Sequence, residues 1–134
     1  MIRTKIYIDE NISPNLALGL DVLERPMKEG FEVVSIESVF GKGALDEYWL
    51  PEIGKEGSVV ITQDLNIHRT RRQRELFEAY KVGVFFISPP SKTGYQYWEM
   101  VELIIKRWRE IKKLCREKRP FAFRCTSRSD FERL

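Results

Sequence analysis

The chain has few of the residues that form metal centres with soft ligands. Its 134 residues include two cysteines, Cys115 and Cys125, and a single histidine, His68. Neither cysteine belongs to a CxxC pair, so the pattern argues against a zinc site and favours two buried free thiols. One histidine cannot form a histidine metal cluster by itself, and we interpret His68 as a surface or phosphate-contacting residue.

Long apolar runs and a leader pattern are also missing. No apolar run reaches the length of about 18 residues that a membrane-spanning helix needs, and no basic and apolar leader opens the sequence. An apolar content of 43% with 12% aromatic residues indicates a globular fold. In the absence of repeats and interdomain linkers, we expect one cytoplasmic, soluble domain over residues 1–134, without a membrane partner.

The net charge of +3 conceals an uneven distribution of charge along the chain. Residues 1–60 carry 6 Lys and Arg against 11 Asp and Glu, a net of −5, whereas residues 61–134 carry 17 against 9, a net of +8. This asymmetry agrees with a carboxylate cluster flanked by a nucleic-acid surface. It agrees equally well with solvated helix faces of opposite charge, so the charges alone leave both interpretations open.

Short apolar runs alternate with helical patterns along the chain. Strands are predicted at residues 5–8, 31–36, 59–61, 82–87 and 121–126, and helices at residues 14–25, 46–53, 73–80 and 95–118. Residues 39–45 are interpreted as a loop and residues 127–134 as a polar tail. Continuous apolar strands separated by helices predict a three-layer α/β/α fold around a mostly parallel sheet of four or five strands.

The longest predicted helix, at residues 95–118, carries an apolar stripe and a basic face. The stripe is predicted to lie in the core and consists of Trp98, Val101, Ile104, Ile105, Trp108, Ile111 and Cys115. Tyr95 and Tyr97 flank the stripe and are predicted to be more exposed, in a position that would allow base stacking.

Carboxylates follow the predicted buried strands where those strands end. Asp9 and Glu10 follow the first strand, Asp64 follows the third, and Asp46 opens a helix, for which it is also a candidate cap. Right-handed crossovers bring the carboxyl ends of parallel strands to one edge, so these acidic groups are expected to meet. Mg²⁺ or Mn²⁺ would offset their repulsion and could activate water for attack on a phosphodiester.

Three sequence runs carry a resemblance to a known family: IDEN at residues 8–11, ITQDLNI at residues 61–67 and PFAFR at residues 120–124. Together with the acidic residue that opens the second long helix, they resemble the PIN-like nucleases. They resemble especially the compact group related to VapC-type toxins of toxin–antitoxin systems. The resemblance implies endoribonuclease activity with Mg²⁺ or Mn²⁺ in an acidic pocket.

The resemblance also implies roles for single residues. Asp9, Asp46 and Asp64 match the acidic positions that bind metal and would be both catalytic residues and ligands. Secondary candidates are Glu10, Glu47 as the substitute if the register slips, and Asn66, where related sequences often carry an aspartate. The implied partners are RNA, a cognate antitoxin and a second copy of the chain.

An arginine-rich segment directly follows the third strand. It comprises Arg69, Arg71, Arg72 and Arg74, with His68 beside them. Guanidinium groups form bidentate hydrogen bonds with phosphate oxygens, so this segment suits an RNA backbone. An acidic protein partner, such as an antitoxin tail, would suit it equally well.

Two other functions stay open at this level. A PIN-like scaffold could bind RNA or a protein without cutting, because the amide of Asn66 weakens the charge of the site. A receiver domain also places an acidic pair after its first strand, an aspartate after its third and a hydroxyl after its fourth, which Asp9 with Glu10, Asp64 and Ser88 resemble. Lys92 follows the wrong strand for the receiver lysine, which disfavours that interpretation.

Overall fold

Strands and helices alternate along almost the whole chain, as the apolar pattern predicts. The computed structural model describes residues 3–134. The elements are β1 (Thr4–Ile8), α1 (Pro14–Glu24), a 3₁₀ helix (Arg25–Met27), β2 (Phe31–Ser35), α2 (Ile36–Phe40), α3 (Asp46–Glu56), β3 (Val59–Gln63), α4 (Ile67–Ala79), β4 (Gly83–Ile87), α5 (Tyr97–Leu114), β5 (Phe121–Cys125) and β6 (Glu132–Arg133).

A single sheet forms the middle layer, with strand order β2-β1-β3-β4-β5-β6. The first five strands are parallel, and the two-residue β6 pairs antiparallel with β5. The predicted three-layer α/β/α fold is therefore confirmed. The tail, expected to be merely polar, adds a short sixth strand to the four or five predicted.

Two apolar cores lie on opposite faces of this sheet. Helices α1 and α5 cover one face, and α2, α3 and α4 cover the other. Every residue of β3 and of β4 is buried, which explains why both strands are continuous apolar runs in the sequence. Central strands with both faces covered are rigid, so their carboxyl ends give a stable platform for a site.

Two predicted boundaries near the sheet edge are wrong. Residues 36–40, partly assigned to a loop, form α2, because the Ser35 hydroxyl accepts a hydrogen bond from the Ser38 amide and caps this helix. The helix predicted at residues 73–80 begins already at Ile67, because the Asn66 side chain caps its first turn. The arginine-rich segment consequently lies on a helix and not on a loop before it.

The predicted core stripe of α5 is also partly wrong. Trp98 and Ile105 are 70% and 50% exposed. The side chains that α5 buries are Met100, Leu103, Ile104, Arg107 and Ile111. A charged residue occupies a core position because the Arg107 guanidinium donates to the carbonyl oxygens of Ser129 and Thr126 and pairs with Asp130.

Two other expectations concern the thiols and the membrane. Cys115 and Cys125 are free and buried, as predicted, and burial raises the pKa of each thiol to about 12. Within residues 3–134, none of the helices combines the length and the apolar character that crossing a bilayer requires.

The packing of α3 against the end of α4 depends on Gly54. A Cβ atom at this position would lie 2.4 Å from the backbone oxygen of Tyr80, whereas one at Gly19 in α1 would meet nothing within 4 Å. We expect Gly54→Ala to lower the free energy of unfolding by roughly 1–3 kcal/mol through this overlap. Gly19→Ala is the matched control and should raise it by roughly 0.5–1 kcal/mol. Urea denaturation of both variants measures the difference, and equal stabilisation by both would contradict the close contact.

Candidate active site

The candidate site lies where the strand order changes direction. From β1 the chain turns to β2 on one side and then crosses to β3 on the other, so β1 and β3 are neighbours at a topological switch point. Open α/β sheets bind ligands outside the carboxyl ends of the strands at such a point. Asp9 directly follows β1 and Asp64 directly follows β3, and Asp46 is the first residue of α3.

Asp9 is the most strongly buried of these carboxylates, with 3% of its surface exposed. One carboxylate oxygen accepts from the Glu10 amide at 2.7 Å, and the other accepts from the Thr62 hydroxyl at 2.6 Å. Burial raises the pKa of Asp9, and repulsion by Asp46 adds to this, while the two hydrogen bonds and the Arg69 guanidinium lower it only in part. The protein therefore holds Asp9 in place but leaves its negative charge incompletely compensated.

Asp46 is buried beside Asp9. It is 8% exposed, and one carboxylate oxygen accepts from the Gln73 amide nitrogen on α4 at 3.2 Å. The interpretation of Asp46 as the helix cap is wrong, because Leu45 occupies that position and no side chain caps α3. Its place in the first helical turn nevertheless favours a carboxylate, because the amide dipoles of the helix point their positive end there.

Asp64 has a different environment, because a guanidinium neutralises it. Its carboxylate accepts from the Thr70 hydroxyl at 2.5 Å and from the Ser88 hydroxyl at 3.0 Å. Arg124 on β5 forms an ion pair with it at 2.6 Å. Asp64 thus already has a cationic partner, which Asp46 lacks within the described residues.

Two of the three secondary candidates, Glu10 and Asn66, make local contacts that explain them without a ligand. The Glu10 carboxylate accepts from the Gly43 amide at 2.6 Å and fixes the loop before α3. Glu47 is exposed in the first turn of α3. The Asn66 side chain accepts from the amides of His68 and Arg69, so it acts as the cap of α4.

The donor chemistry decides whether a divalent cation fits. Across residues 3–134, no group of three or more His, Cys, Asp or Glu residues is placed to hold a metal ion. Mg²⁺ commonly keeps several waters and binds proteins through only one or two carboxylates plus substrate phosphates. The buried, mutually repelling carboxylates of Asp9 and Asp46 fit such a cation, whereas Asp64 would first have to leave Arg124.

The arginine-rich segment divides between two surfaces. Arg69 lies 3.9 Å from an Asp9 carboxylate oxygen. Arg71 and Arg74 line a neighbouring cavity of about 160 Å³, and Arg124 reaches the same cavity from the sheet. Arg72 and His68 are exposed on α4, and neither makes an ion pair with any part of the chain from residue 3 onward.

Sequence reasoning missed the residues that orient the three aspartates. They are Thr62, Thr70, Gln73, Ser88 and Arg124. The buried residues of α4 are Thr70, Gln73 and Phe77. Their helical spacing could have indicated a buried helix face in the arginine-rich segment. Arg124 was visible too, as a charge within the alternating strand FAFRC, on the face opposite its phenylalanines.

The comparison with protein families agrees with this geometry. The family model described as a PIN like domain matches residues 4–89, which is more than half of the chain. The chain belongs to the PIN-like family. PIN-like domains are generally nucleases and usually use divalent metals. No curated protein and no solved structure shows a significant match.

The matched segment of this PIN-like protein covers only part of the site. It includes Asp9, Asp46 and Asp64, together with the whole arginine-rich segment. Arg124 lies on β5, outside residues 4–89. The guanidinium that pairs with Asp64 is therefore contributed by a part of the chain outside the matched residues.

Proposed function

We propose that this PIN-like protein is an endoribonuclease, similar to VapC-type toxins, that cleaves RNA phosphodiester bonds. The observation that carries the proposal is the pair of buried, mutually repelling carboxylates, Asp9 and Asp46, at the switch point of the sheet. Arg69, 3.9 Å from an Asp9 oxygen, offsets the cost of burying this pair only in part. A bound divalent cation would offset the rest and would supply the chemistry for hydrolysis.

Asp9 and Asp46 are the residues that would hold Mg²⁺ or Mn²⁺ in the proposed site. Such a cation, when bound, supplies an activated water and stabilises charge on the phosphate. Asp64 is a candidate third ligand, but its carboxylate could reach the cation only after its ion pair with Arg124 has opened.

The chain's own side chains set the geometry of the proposed reaction. The Thr62 hydroxyl and the Glu10 amide hold both oxygens of Asp9 in position. Gln73 holds one oxygen of Asp46. Arg69, close to Asp9 and 44% exposed at its side chain, is placed to bind a phosphate that approaches the two carboxylates. Preorganisation of this kind reduces the cost of reaching the transition state.

RNA is the proposed substrate class because the acidic pair is bordered by arginines. All four arginines of the segment are exposed on α4, and Arg69 lies 3.9 Å from an Asp9 carboxylate oxygen. Exposed guanidinium groups attract a phosphate backbone at long range and bind it by hydrogen bonds at short range.

Two protein partners belong to the VapC-like proposal. An acidic antitoxin would bind the same arginines, and a second copy of the chain would form a homodimer. Light scattering measures the size of the protein alone, which tests the homodimer, and with a co-expressed partner, which tests the antitoxin complex.

A second candidate function is a PIN-like module that binds RNA or a protein without cutting. The specific observation in its favour is the ion pair between Arg124 and Asp64, which removes one carboxylate from the acidic site. The cap role of Asn66 favours it too, because no fourth oxygen ligand comes from that position.

Cleavage of a structured-RNA pool separates the two functions. With Mg²⁺ or Mn²⁺ we expect cleavage, and with chelator none. Asp46→Asn should reduce the rate roughly 100-fold or more, because loss of even an indirect metal contact costs about 10–100-fold. Glu47→Gln, the exposed neighbour in the same helical turn, is the matched control and should cleave like the wild type. Cleavage that continues in chelator or in folded Asp46→Asn would contradict the proposal, and no cleavage by the wild type would favour the binding module.

A further inference from the structure

A second pocket opens beside the acidic pair and is not needed by the proposed reaction. It has a volume of about 210 Å³. Pockets for drug-sized ligands begin at about 300 Å³, so this one suits a smaller, compact group. Two of its lining residues, Asn11 and Gln63, stand two positions after Asp9 and one position before Asp64. The Asn11 side-chain oxygen lies 3.5 Å from the Thr62 hydroxyl oxygen that donates to Asp9, so the pocket lies next to the candidate active site.

The floor of this pocket is apolar and its rim is aromatic. Ile12 and Leu16 from one side and Met100 from α5 form the floor, and each is at most 5% exposed. Tyr95 and Tyr97 form the rim, and Tyr97 is 45% exposed. Apolar side chains below an exposed aromatic ring are suited to a planar ring that stacks.

The polar wall of the pocket is rigid before any ligand arrives. Asn11 and Gln63 are joined by three hydrogen bonds, of which the shortest runs from the Gln63 side chain to the Asn11 carbonyl at 2.6 Å. The Gln63 side-chain oxygen accepts from the Tyr95 amide, and the Tyr95 hydroxyl donates to the Ser88 carbonyl. Gly94 permits this approach, because its φ is +83° and a Cβ there would lie 2.9 Å from the Gln63 oxygen.

Donor capacity is left over at this wall. Each side-chain amide nitrogen has two hydrogens, and Asn11 and Gln63 each use one of them. The Ser13 hydroxyl accepts from the Asn15 amide and donates no hydrogen bond within residues 3–134. These donors match the ring nitrogens and carbonyl oxygens at the edge of a nucleobase.

We propose that this pocket binds one unstacked base of a single-stranded RNA whose phosphate lies at Asp9 and Asp46. The proposal rests on the proposed function, because it takes the scissile phosphate to lie at those carboxylates. Proteins that recognise single-stranded RNA commonly stack splayed bases on aromatic rings and hydrogen-bond their edges. The pocket would then select the base next to the cleaved bond, which gives sequence preference to a site whose other contacts are with the backbone.

Binding in chelator tests the pocket separately from cleavage. Trp98 is 70% exposed and contacts Tyr97 edge to face, with ring centroids 5.2 Å apart, so its fluorescence reports stacking at the rim. We expect octamers of uridine or adenosine to quench this fluorescence and inorganic polyphosphate to bind without quenching. Tyr97→Ala should weaken octamer binding roughly tenfold and leave polyphosphate binding unchanged, while Tyr97→Phe should bind like the wild type. Tyr48→Ala, which removes an exposed tyrosine on α3, is the matched control.

A second readout observes the floor directly. In protein labelled at the methionine methyl groups, an octamer should shift the NMR signal of Met100 and not that of Met27, which is 56% exposed elsewhere. Three outcomes would overturn the proposal. They are equal octamer binding by the wild type and Tyr97→Ala, an unchanged Met100 signal, and free mononucleotide that binds as tightly as the octamer. If the protein binds the base but cleaves RNA with none of the metals, the base-binding proposal stands and the nuclease proposal is wrong. If it cleaves RNA without these binding effects, the nuclease proposal stands and the base-binding proposal is wrong.

Discussion

Asp9→Asn is expected to abolish RNA cleavage and to make the protein more stable. The rate should fall at least about 100-fold, because the variant loses one of the two carboxylates proposed to hold the cation. The free energy of unfolding at neutral pH should rise, by roughly 0.5–2 kcal/mol, because a neutral amide avoids the cost of a buried charge. The Thr62 hydroxyl that now donates to Asp9 can accept from the new amide instead.

The stability gain should depend on pH in a definite direction. Burial raises the pKa of Asp9 in the folded protein above its value in the unfolded chain. Below the ordinary aspartate range the carboxyl is protonated in both states and costs nothing. As the pH rises through that range to the raised folded pKa, the wild type loses stability relative to the variant. The advantage of Asp9→Asn should therefore be largest at neutral pH and vanish in acid.

Thermal unfolding from acid to neutral pH, in chelator, measures this difference. Glu47→Gln is the matched control and should follow the wild type, because Glu47 is exposed. Added Mn²⁺ should raise the unfolding temperature of the wild type and not that of Asp9→Asn. A variant that is less stable than the wild type at neutral pH would show that the carboxylate of Asp9 is well compensated without a cation.

Arg124→Ala is expected to increase the affinity for Mn²⁺ roughly tenfold. The substitution frees Asp64 from its 2.6 Å ion pair, so that this carboxylate can turn to the cation. In chelator the variant should lose about 1–2 kcal/mol of stability, since a carboxylate is left without its cationic partner. The side chain of Arg124 is 39% exposed, so solvent screens part of the interaction and keeps the loss modest.

Calorimetric titration with Mn²⁺ and unfolding with and without the ion measure both effects. Mn²⁺ should restore most of the stability that Arg124→Ala loses. Arg128→Ala, an exposed arginine beyond β5, serves as the matched control and should leave the affinity unchanged. If Arg124→Ala binds Mn²⁺ no more tightly than the wild type, Asp64 is a structural partner of Arg124 and not a candidate ligand.

The layers of the fold and the meeting of the candidate carboxylates at one sheet edge were predictable because local patterns determine them. β3 and β4 are continuous apolar runs, and buried runs of this kind separated by helices require a covered parallel sheet. The crossover rule then brings Asp9 and Asp64 to one edge without any knowledge of side-chain contacts. A local signal for the cap of α4 was present as well, because Asn66 precedes its first turn and acts over two or three residues, although the predicted helix started only at residue 73.

Only the tertiary structure decided how each carboxylate is compensated. The partners of Asp9 and Asp46 are Thr62 and Gln73, which lie 53 and 27 residues away in sequence. Arg124 reaches Asp64 because β5 follows β4 at the sheet edge, and nothing local in FAFRC specifies that neighbour. Hydropathy and spacing determine which face of an element is buried, whereas the ion pairs depend on distances set by the whole fold. For that reason the sequence alone determined an acidic edge in an α/β sheet, and the tertiary structure divided it into an incompletely compensated pair and a neutralised aspartate.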